Sequence, residues 1–370
     1  MADTRAATGL TVEQWDDQFF NEYAAFLRFK EEMGTTENSI IQVKESLMKK
    51  PGDRVNFALV NKLRNDAVTG TATMEGNEED MATRSFEVAV AKRRNAVRVA
   101  EQEEQFSAIG LRDAAKSQLK LWAAEDTEML VIRALSSFAG TRYASASETI
   151  KDAWLVDNAD RVLFGELRSN NSANDHSASL DNLDTTNDLL TPAAVSKMKT
   201  IAETVANPLI RPIRSAASKG RRYYVMYAHP YAFDDLKTNT TITQAQREVT
   251  LQMENERLFE GGDLLWDGVI IKKMELTNNN GTHEWDFGLV GASSARVVGA
   301  YLCGAQAVGC AYARRWRSTE ETFDYGDKRG VEISSIYGIE KMKFGSGAGD
   351  TDDLKDHGVV TGYFATAGLA

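Results

Sequence analysis

Two strand-like patterns that flank a long polar segment constrain this chain more than any other feature of its sequence. RVNFALVNKL (residues 54–63) and RSFEVAV (84–90) both alternate apolar and polar side chains, the pattern of a strand with one buried face. The apolar positions are Val55, Phe57 and Leu59 in the first strand and Phe86, Val88 and Val90 in the second. The two strands predict a hairpin with a long tip, residues 65–83.

Charge divides this predicted hairpin into an acidic tip and a basic stem. The tip carries no basic residue, and its acidic residues are Asp66, Glu75, Glu78, Glu79 and Asp80. The second strand and its continuation carry one acid, Glu87, and the basic residues Arg84, Lys92, Arg93, Arg94 and Arg98. A globular enzyme rarely needs such a hairpin, whereas a subunit that lies across its neighbour in a shell does. We therefore expect these charged residues to contact other copies of the chain.

The overall composition is that of an ordinary globular protein. Of the 370 residues, 42% are hydrophobic and 26% are charged, which suits one large domain or two smaller ones. The net charge of −11 argues against tight wrapping of nucleic acid, although it permits enclosing nucleic acid without gripping it. The sequence shows no signal peptide and no membrane-spanning run, which predicts a soluble product made in the cytosol. Cys303 and Cys310 are interpreted as buried thiols.

The N-terminal segment reads as a helix over residues 11–30. Thr11 and Gln14 form a capping-box pattern at its start. Aromatic and aliphatic residues then follow at spacings of three and four, namely Trp15, Phe19, Tyr23, Phe26 and Leu27. This face packs either against the protein's own core or against a neighbouring subunit, and the sequence leaves both alternatives open.

The remaining patterns indicate a mixed α+β chain. A helix of about 26 residues, close to 40 Å long, is predicted from Leu111 and is expected to end at Gly140. No βαβ alternation suggests a doubly wound sheet. The other predicted elements are an exposed loop at 168–188, helices at 191–205, from Pro230 and at 243–258, a strand at 223–227, and a strand-rich tract at 264–345.

No group of residues in the sequence predicts catalysis. The four histidines are scattered; His176 and His283 are expected in polar loops, and His229 before Pro230 is expected to hydrogen-bond a turn. No nucleophile elbow, zinc motif or phosphate-binding loop is present. The sequence predicts no enzyme, no cofactor and no metal site.

One short basic motif could contact nucleic acid. ARRWRST, with Arg314, Arg315, Trp316 and Arg317, combines an aromatic ring with cations, as base stacking and phosphate binding require. It stands alone in an acidic chain. A salt bridge to a carboxylate of another subunit is the favoured interpretation.

The succession of these elements resembles the major capsid proteins of tailed double-stranded DNA bacteriophages with the HK97-type fold, and more narrowly the coat proteins of N-four-like phages. The resemblance rests on the order of several stretches over most of residues 45–345, none of which is diagnostic alone. They are GDRVNFALVNKLRNDAVTGTATMEGNEEDM, SFEVAVAKRRNAVRV, YYVMYAHPYAFDDLK, RLFEGGDLLWDGVIIKKME, and ARVVGAYLCGAQAVGCAYARRW continued through FDYGDKRGVEISSIYGIEKMKF.

The resemblance implies an HK97-like α+β architecture with a fixed succession of parts. The final segment matches no pattern of the family, and we expect at most a short added strand there. The parts are an N-terminal arm (1–50), an extended loop (51–105), a spine helix of the peripheral domain (106–140), a mainly axial region (141–260), a strand-rich tract shared by both domains (261–345) and a C-terminal tail (346–370).

The resemblance also implies what the protein assembles with. Copies are expected to form hexamers and pentamers of an icosahedral virion capsid, built in the cytoplasm of a bacterial host around double-stranded DNA that is not read by sequence. A portal protein, and a scaffold or decoration protein, are the expected partners, and no membrane is involved.

Two alternatives stay open: the shell of a bacterial nanocompartment with protein cargo, and a hydrolase or sugar-binding protein with a cleft near Trp266, Trp285 and Asp286.

Overall fold

The computed structural model describes residues 27–48, 52–60, 67–70, 73–78, 83–107, 109–214, 222–244, 259–260, 263–275, 283–345 and 354–368. Helices and strands are mixed along these ranges, so the predicted α+β class is confirmed. The predicted aromatic segment with Trp15, Phe19, Tyr23 and Phe26 lies outside the described residues, as does most of the predicted helix 243–258. Within the described ranges, no helix has both the length and the apolar character needed to span a bilayer.

The strands form two large sheets and two small ones. In chain order they are β1 (Met33–Gly34), β2 (Ile41–Lys44), β3 (Arg54–Val60), β4 (Thr83–Ala89), β5 (Ala91–Ala100), β6 (Val162–Phe164), β7 (Ile213–Arg214), β8 (Arg222–Ala228), β9 (Phe259–Glu260), β10 (Asp263–Trp266), β11 (Val269–Lys273), β12 (Asp286–Gly288), β13 (Arg296–Cys303), β14 (Val308–Phe323), β15 (Lys328–Lys341), β16 (Lys343–Phe344), β17 (Lys355–Asp356) and β18 (Val359–Thr366).

Six α-helices lie between these strands in the described part of the chain. They are α1 (Glu101–Phe106), α2 (Leu111–Leu135), α3 (Glu148–Asn158), α4 (His176–Asp181), α5 (Pro192–Thr200) and α6 (Pro230–Thr238). Helix α5 continues as a π-helical turn, Ile201–Val205, so the predicted helix over 191–205 is confirmed. The side chain of Thr191 caps it by accepting a hydrogen bond from the Ala194 N–H.

The first large sheet has five strands in the order β1-β2-β14-β15-β5 and packs against α2. Buried residues recur along one side of this long helix, namely Ala115, Leu119, Ala123, Val131 and Leu135. The helix ends at Leu135 rather than at Gly140, and the hydroxyls of Ser136 and Ser137 bond back to carbonyls of its last turn. Gly140 instead lies in the turn that follows, with φ +91°.

The second large sheet follows the order β6-β18-β13-β8-β11-β10-β9. Its faces are covered in part by α5 and α6, whose Val195, Met198 and Leu236 are fully buried against it. The strand β18 pairs with β13 along its whole length and with β6 on its other side. The strand suggested for the tail at 346–370 is therefore present, but β18 is longer than expected, with eight residues that are all buried.

The predicted hairpin exists, but it ends before the run of basic residues at 92–98 that the sequence placed in its stem. Strands β3 and β4 pair antiparallel, with Val55 opposite Val88 and Phe57 opposite Phe86. Their buried face packs on Ala311, Met342 and Phe344 of the body, which fixes the base of the hairpin. The chain then leaves the hairpin at Ala89. Strand β5 pairs with β15 in the first large sheet, so the basic residues at 92–98 belong to the body rather than to the stem.

Residues 168–188 are folded and partly buried, so the predicted exposed loop was wrong. The segment contains α4, and His176, Leu180 and Leu183 are buried. The buried carboxylate of Asp188 accepts hydrogen bonds from the Asn170 amide and from backbone N–H groups. Polar side chains here form hydrogen bonds with the backbone of a buried turn. The low apolar content of the segment therefore wrongly predicted an exposed loop.

A buried ion pair joins the first large sheet to the small sheet formed by β16 and β17. Lys341, at the end of β15, lies 2.6 Å from the carboxylate of Asp356 in β17, which precedes β18. The two side chains are 4% and 3% exposed. The indole of Trp154 in α3 donates to the same carboxylate at 3.1 Å. The pair therefore links both sheets and a helix in a water-poor site.

Candidate intersubunit surface

The histidines of this protein lie in its interior. All four are buried, which corrects the prediction that His176 and His283 lie in polar loops. Burial lowers the pKa of His176, His229 and His357 to about 3, and also lowers that of His283. The His229 and His283 rings lie 4.6 Å apart, so these two are not scattered.

His229 confirms its predicted role in a turn. Its Nδ1 accepts a hydrogen bond from the Tyr231 N–H at 3.2 Å, at the start of α6. Cys303 and Cys310 are buried free thiols, as predicted. Burial raises the pKa of Cys310 to about 12 and that of Cys303 further, which suppresses the reactive thiolate.

Trp285 does not line the cleft proposed near it. Trp285 is fully buried, and its indole N–H donates to the Ile132 carbonyl at 2.9 Å. Asp286 pairs with Arg296 at 2.6 Å. A cavity of about 460 Å³ is lined by Arg296 together with residues such as Tyr231 and Thr366, but not by either tryptophan.

Three carboxylates lie close together beside α3 and α4. One oxygen each of Glu148, Asp152 and Asp175 lies within 4.8 Å of the others. Asp152 accepts the His176 N–H, and Asp175 caps α4 through the Ala178 N–H. These acids stabilise the start of a helix.

Two residues of the ARRWRST motif, Arg315 and Trp316, are engaged within their own chain. Trp316 is buried and packs edge-on against Trp122, which rules out base stacking by this ring. Arg315 forms two hydrogen bonds of 2.9 Å to Glu45. Arg315 therefore forms its salt bridge within the subunit, so the prediction of a salt bridge to another subunit was wrong for this residue.

The predicted basic residues divide between two faces of the first sheet. Arg93 donates to both carboxylate oxygens of Asp126 on α2, and this hydrogen bonding raises its pKa. Because side chains alternate along a strand, Lys92, Arg94 and Arg98 must point to the opposite face of β5. Arg84 lies apart from them, half-buried in β4.

Arg317 joins the cations on this face. Ser334 of β15 lies opposite both Arg94 and Arg317, so all three side chains project in one direction. We define Lys92, Arg94, Arg98 and Arg317 as the basic sheet face. All four are exposed, and none has a carboxylate oxygen within 4 Å among the residues that the structure describes. Sequence reasoning missed the place of Arg317 because only strand register reveals it.

The acidic tip is described only in part. Glu75 and Glu78 are exposed, and Glu78 accepts a hydrogen bond from the Gly76 N–H at 2.7 Å. Asp66, Glu79 and Asp80 lie outside the described residues. The tip and the basic sheet face thus present opposite charges in one chain.

A hairpin fixed at its base, a long helix on one sheet and a second, larger sheet together define the HK97-like fold of tailed-phage capsid proteins. The chain belongs to the phage capsid protein family, which matches residues 3–367. It is thus a major capsid protein of the phage virion shell.

Individual relatives agree with this assignment. The chain is 31% identical to the capsid protein in the asymmetric unit of cyanophage Pam1, with full coverage of both chains and a TM-score of 0.80. It is 28% identical to the major capsid protein of Pseudomonas phage KPP25 over 96% of each. The capsid of Ralstonia phage GP4 shares the fold at 22% identity and a TM-score of 0.71, covering 100% of this chain and 96% of that one.

Proposed function

We propose that the protein is purely structural, and that its hexamers and pentamers build an icosahedral shell around double-stranded DNA. Capsid structures of relatives support self-assembly into a shell. A portal protein, and a scaffold or decoration protein, are proposed as partners, with assembly in the cytoplasm of a bacterial host. The matches to phage capsids favour neither the nanocompartment nor the cleft enzyme.

The pairing of opposite charges carries the proposal about assembly. The acidic tip of one copy, with Glu75 and Glu78, would lie on the basic sheet face of the next. Arg93 takes no part, because Asp126 of the same chain occupies it. Exposed ion pairs contribute at most about 1 kcal/mol each, so they would set register and assembly rate more than affinity.

The contents of the shell follow from the overall charge. A chain with a net charge of −11 neutralises few phosphates, so packaged DNA could slide past the wall without being held. This function needs no cofactor. Nucleic acid extracted from purified particles should be double-stranded DNA; particles filled with one protein species would refute this part.

A charge swap tests the assembly proposal. Glu75→Lys with Glu78→Lys should slow shell formation about tenfold at low salt, because the steering attraction becomes repulsion. Adding Arg94→Glu and Arg98→Glu to the same chain should restore part of the rate. Light scattering and electron microscopy would measure shells, and circular dichroism would confirm folding.

A matched control reverses two exposed acids elsewhere. Asp181→Lys with Glu203→Lys changes the net charge equally but lies outside both surfaces. We expect normal assembly of this control. Wild-type rates for the tip variant, or equal defects in tip and control variants, would contradict the proposal.

A further inference from the structure

Three carboxylates and a buried histidine lie together where α3 meets α4. Glu148 and Asp152 are four residues apart, so both lie on the same side of α3. Asp175 caps α4, and His176 is the first residue of that helix. The His176 N–H donates to Asp152 at 2.8 Å, which joins the two helices. We call these four residues the α3–α4 cluster.

The spacing of the three carboxylates suits a single metal ion. One oxygen of each lies within 4.8 Å of the others. A transition-metal ion holds nitrogen and oxygen ligands at about 2.0–2.2 Å, so two ligands on opposite sides of it are about 4.4 Å apart. The side chains would need to move by only a few tenths of an ångström. Each carboxylate has two oxygens, so one can bind an ion while the other keeps its present contact.

The imidazole of His176 is a second and independent indication of a ligand. Its side chain is 1% exposed, and its Nδ1 lies 3.7 Å from Glu148 Oε1, which is longer than a hydrogen bond. Its Nε2 and that Glu148 oxygen are both buried without a hydrogen-bond partner in the described part of the chain. The rings of Phe138 and Tyr363, each 5.3 Å away and nearly perpendicular, hold the imidazole in place. Buried polar atoms without partners call for an explanation, and a bound ion is one.

The charges of the α3–α4 cluster match a divalent cation. Its three carboxylates are negative, and Lys151, whose Nζ lies 3.4 Å from Glu148 Oε2, offsets one of these charges. Two negative charges remain, and a divalent cation would neutralise them. Burial lowers the pKa of His176 to about 3, so its ring is neutral at neutral pH and can offer a lone pair to a metal. Asp175 is exposed, which gives an ion access from the solvent.

We propose that the α3–α4 cluster binds one divalent transition-metal cation, Mn²⁺ or Zn²⁺, through His176 Nδ1 and one oxygen of each carboxylate. These ions accept both imidazole nitrogen and carboxylate oxygen. Water would complete the coordination on the exposed side, at Asp175. The ion would fasten α3 to α4 within one subunit, so its binding does not depend on shell assembly. The sequence predicted no metal site, because 24 residues separate Asp152 from His176.

Binding of Mn²⁺ to unassembled full-length subunits tests the proposal. The electron paramagnetic resonance signal of free Mn²⁺ weakens on binding, and a titration should show one saturable site per chain. Glu148→Gln and Asp152→Asn should each weaken binding at least about tenfold, because each removes a charged ligand and keeps the side-chain shape. Asp181→Asn, which removes an exposed acid from the same helix α4, is the matched control and should bind like wild type. No saturable binding by wild type, or an equal loss in Asp181→Asn, would overturn the proposal.

A spectroscopic readout tests the histidine ligand. Pulsed electron paramagnetic resonance of the bound Mn²⁺ should show coupling to an imidazole nitrogen in wild type and none in His176→Gln, with circular dichroism to confirm folding. The wild-type spectrum decides by itself if the variant does not fold, since bound Mn²⁺ without nitrogen coupling would refute the proposed ligand set. Zn²⁺ should displace the Mn²⁺, whereas a large excess of Mg²⁺ should not, because Mg²⁺ prefers oxygen ligands alone. Ready displacement by Mg²⁺ would likewise contradict the proposal.

Discussion

The ion pair between Lys341 and Asp356 allows a quantitative test of how β15 is held against β17, the strand that precedes β18. With side chains 4% and 3% exposed, neither charge can be hydrated if the other is removed. Lys341→Met or Asp356→Asn alone should each cost about 3–5 kcal/mol of unfolding free energy, because a buried charge is left without its partner. Lys341 would retain the Leu135 carbonyl at 3.3 Å and the Trp154 ring, whose centre lies 5.2 Å from its Nζ, and neither carries a negative charge.

The double variant should cost no more than either single one. Removing both charges removes the uncompensated charge, so the coupling energy should be at least about 3 kcal/mol. Urea denaturation of unassembled subunits at neutral pH gives all four free energies of the cycle. As a control, the exposed pair Arg54–Glu87 at 3.1 Å should show no measurable coupling. Additive losses at Lys341 and Asp356 would refute the reasoning.

Two further predictions concern the hairpin base and acid stability. Phe57→Ala should destabilise the subunit by about 3–5 kcal/mol, because Phe57 is fully buried, whereas the exposed Asn56→Ala should cost little; denaturation curves of both variants decide this. Burial lowers the pKa of His357 in the folded protein to about 3, whereas the ordinary pKa of a histidine in an unfolded chain is about 6.5. Below about pH 6.5 the unfolded chain therefore binds a proton at His357 that the folded protein does not bind. The contribution of this histidine to stability is full above that pH and declines towards pH 3. His357→Gln should therefore reduce the loss of unfolding free energy between pH 7.5 and 5.5 by about 1 kcal/mol, and an unchanged pH dependence of that free energy would contradict this.

Local patterns predicted the elements whose packing is itself local. The alternation in β3 and β4 correctly identified the buried face with Phe57 and Phe86, because a strand with one buried face repeats every two residues. The long helix α2 was also predicted, since its buried residues recur along a single side. Its end was misplaced by five residues, because serine hydroxyls cap it before Gly140 is reached.

Features that depend on distant partners could not be read from the sequence. Strand β5 follows the hairpin directly, yet it pairs with β15 more than 200 residues later. That pairing decides that Arg93 faces α2 while Arg94 and Arg98 share a surface with Arg317. Likewise, the polar segment around Asp188 is buried only because its side chains satisfy backbone groups in a turn.

The position of β18 has a consequence for the order of events during translation. Residues 361–363 of β18 pair with residues 162–164 of β6, about 200 residues earlier in the chain. Until the ribosome has released residue 366, β6 has no strand beside it and β13 lacks one of its neighbours. A nascent or prematurely terminated chain therefore cannot complete the larger sheet. Only subunits in which this strand has been made would then have a complete sheet with which to join growing particles.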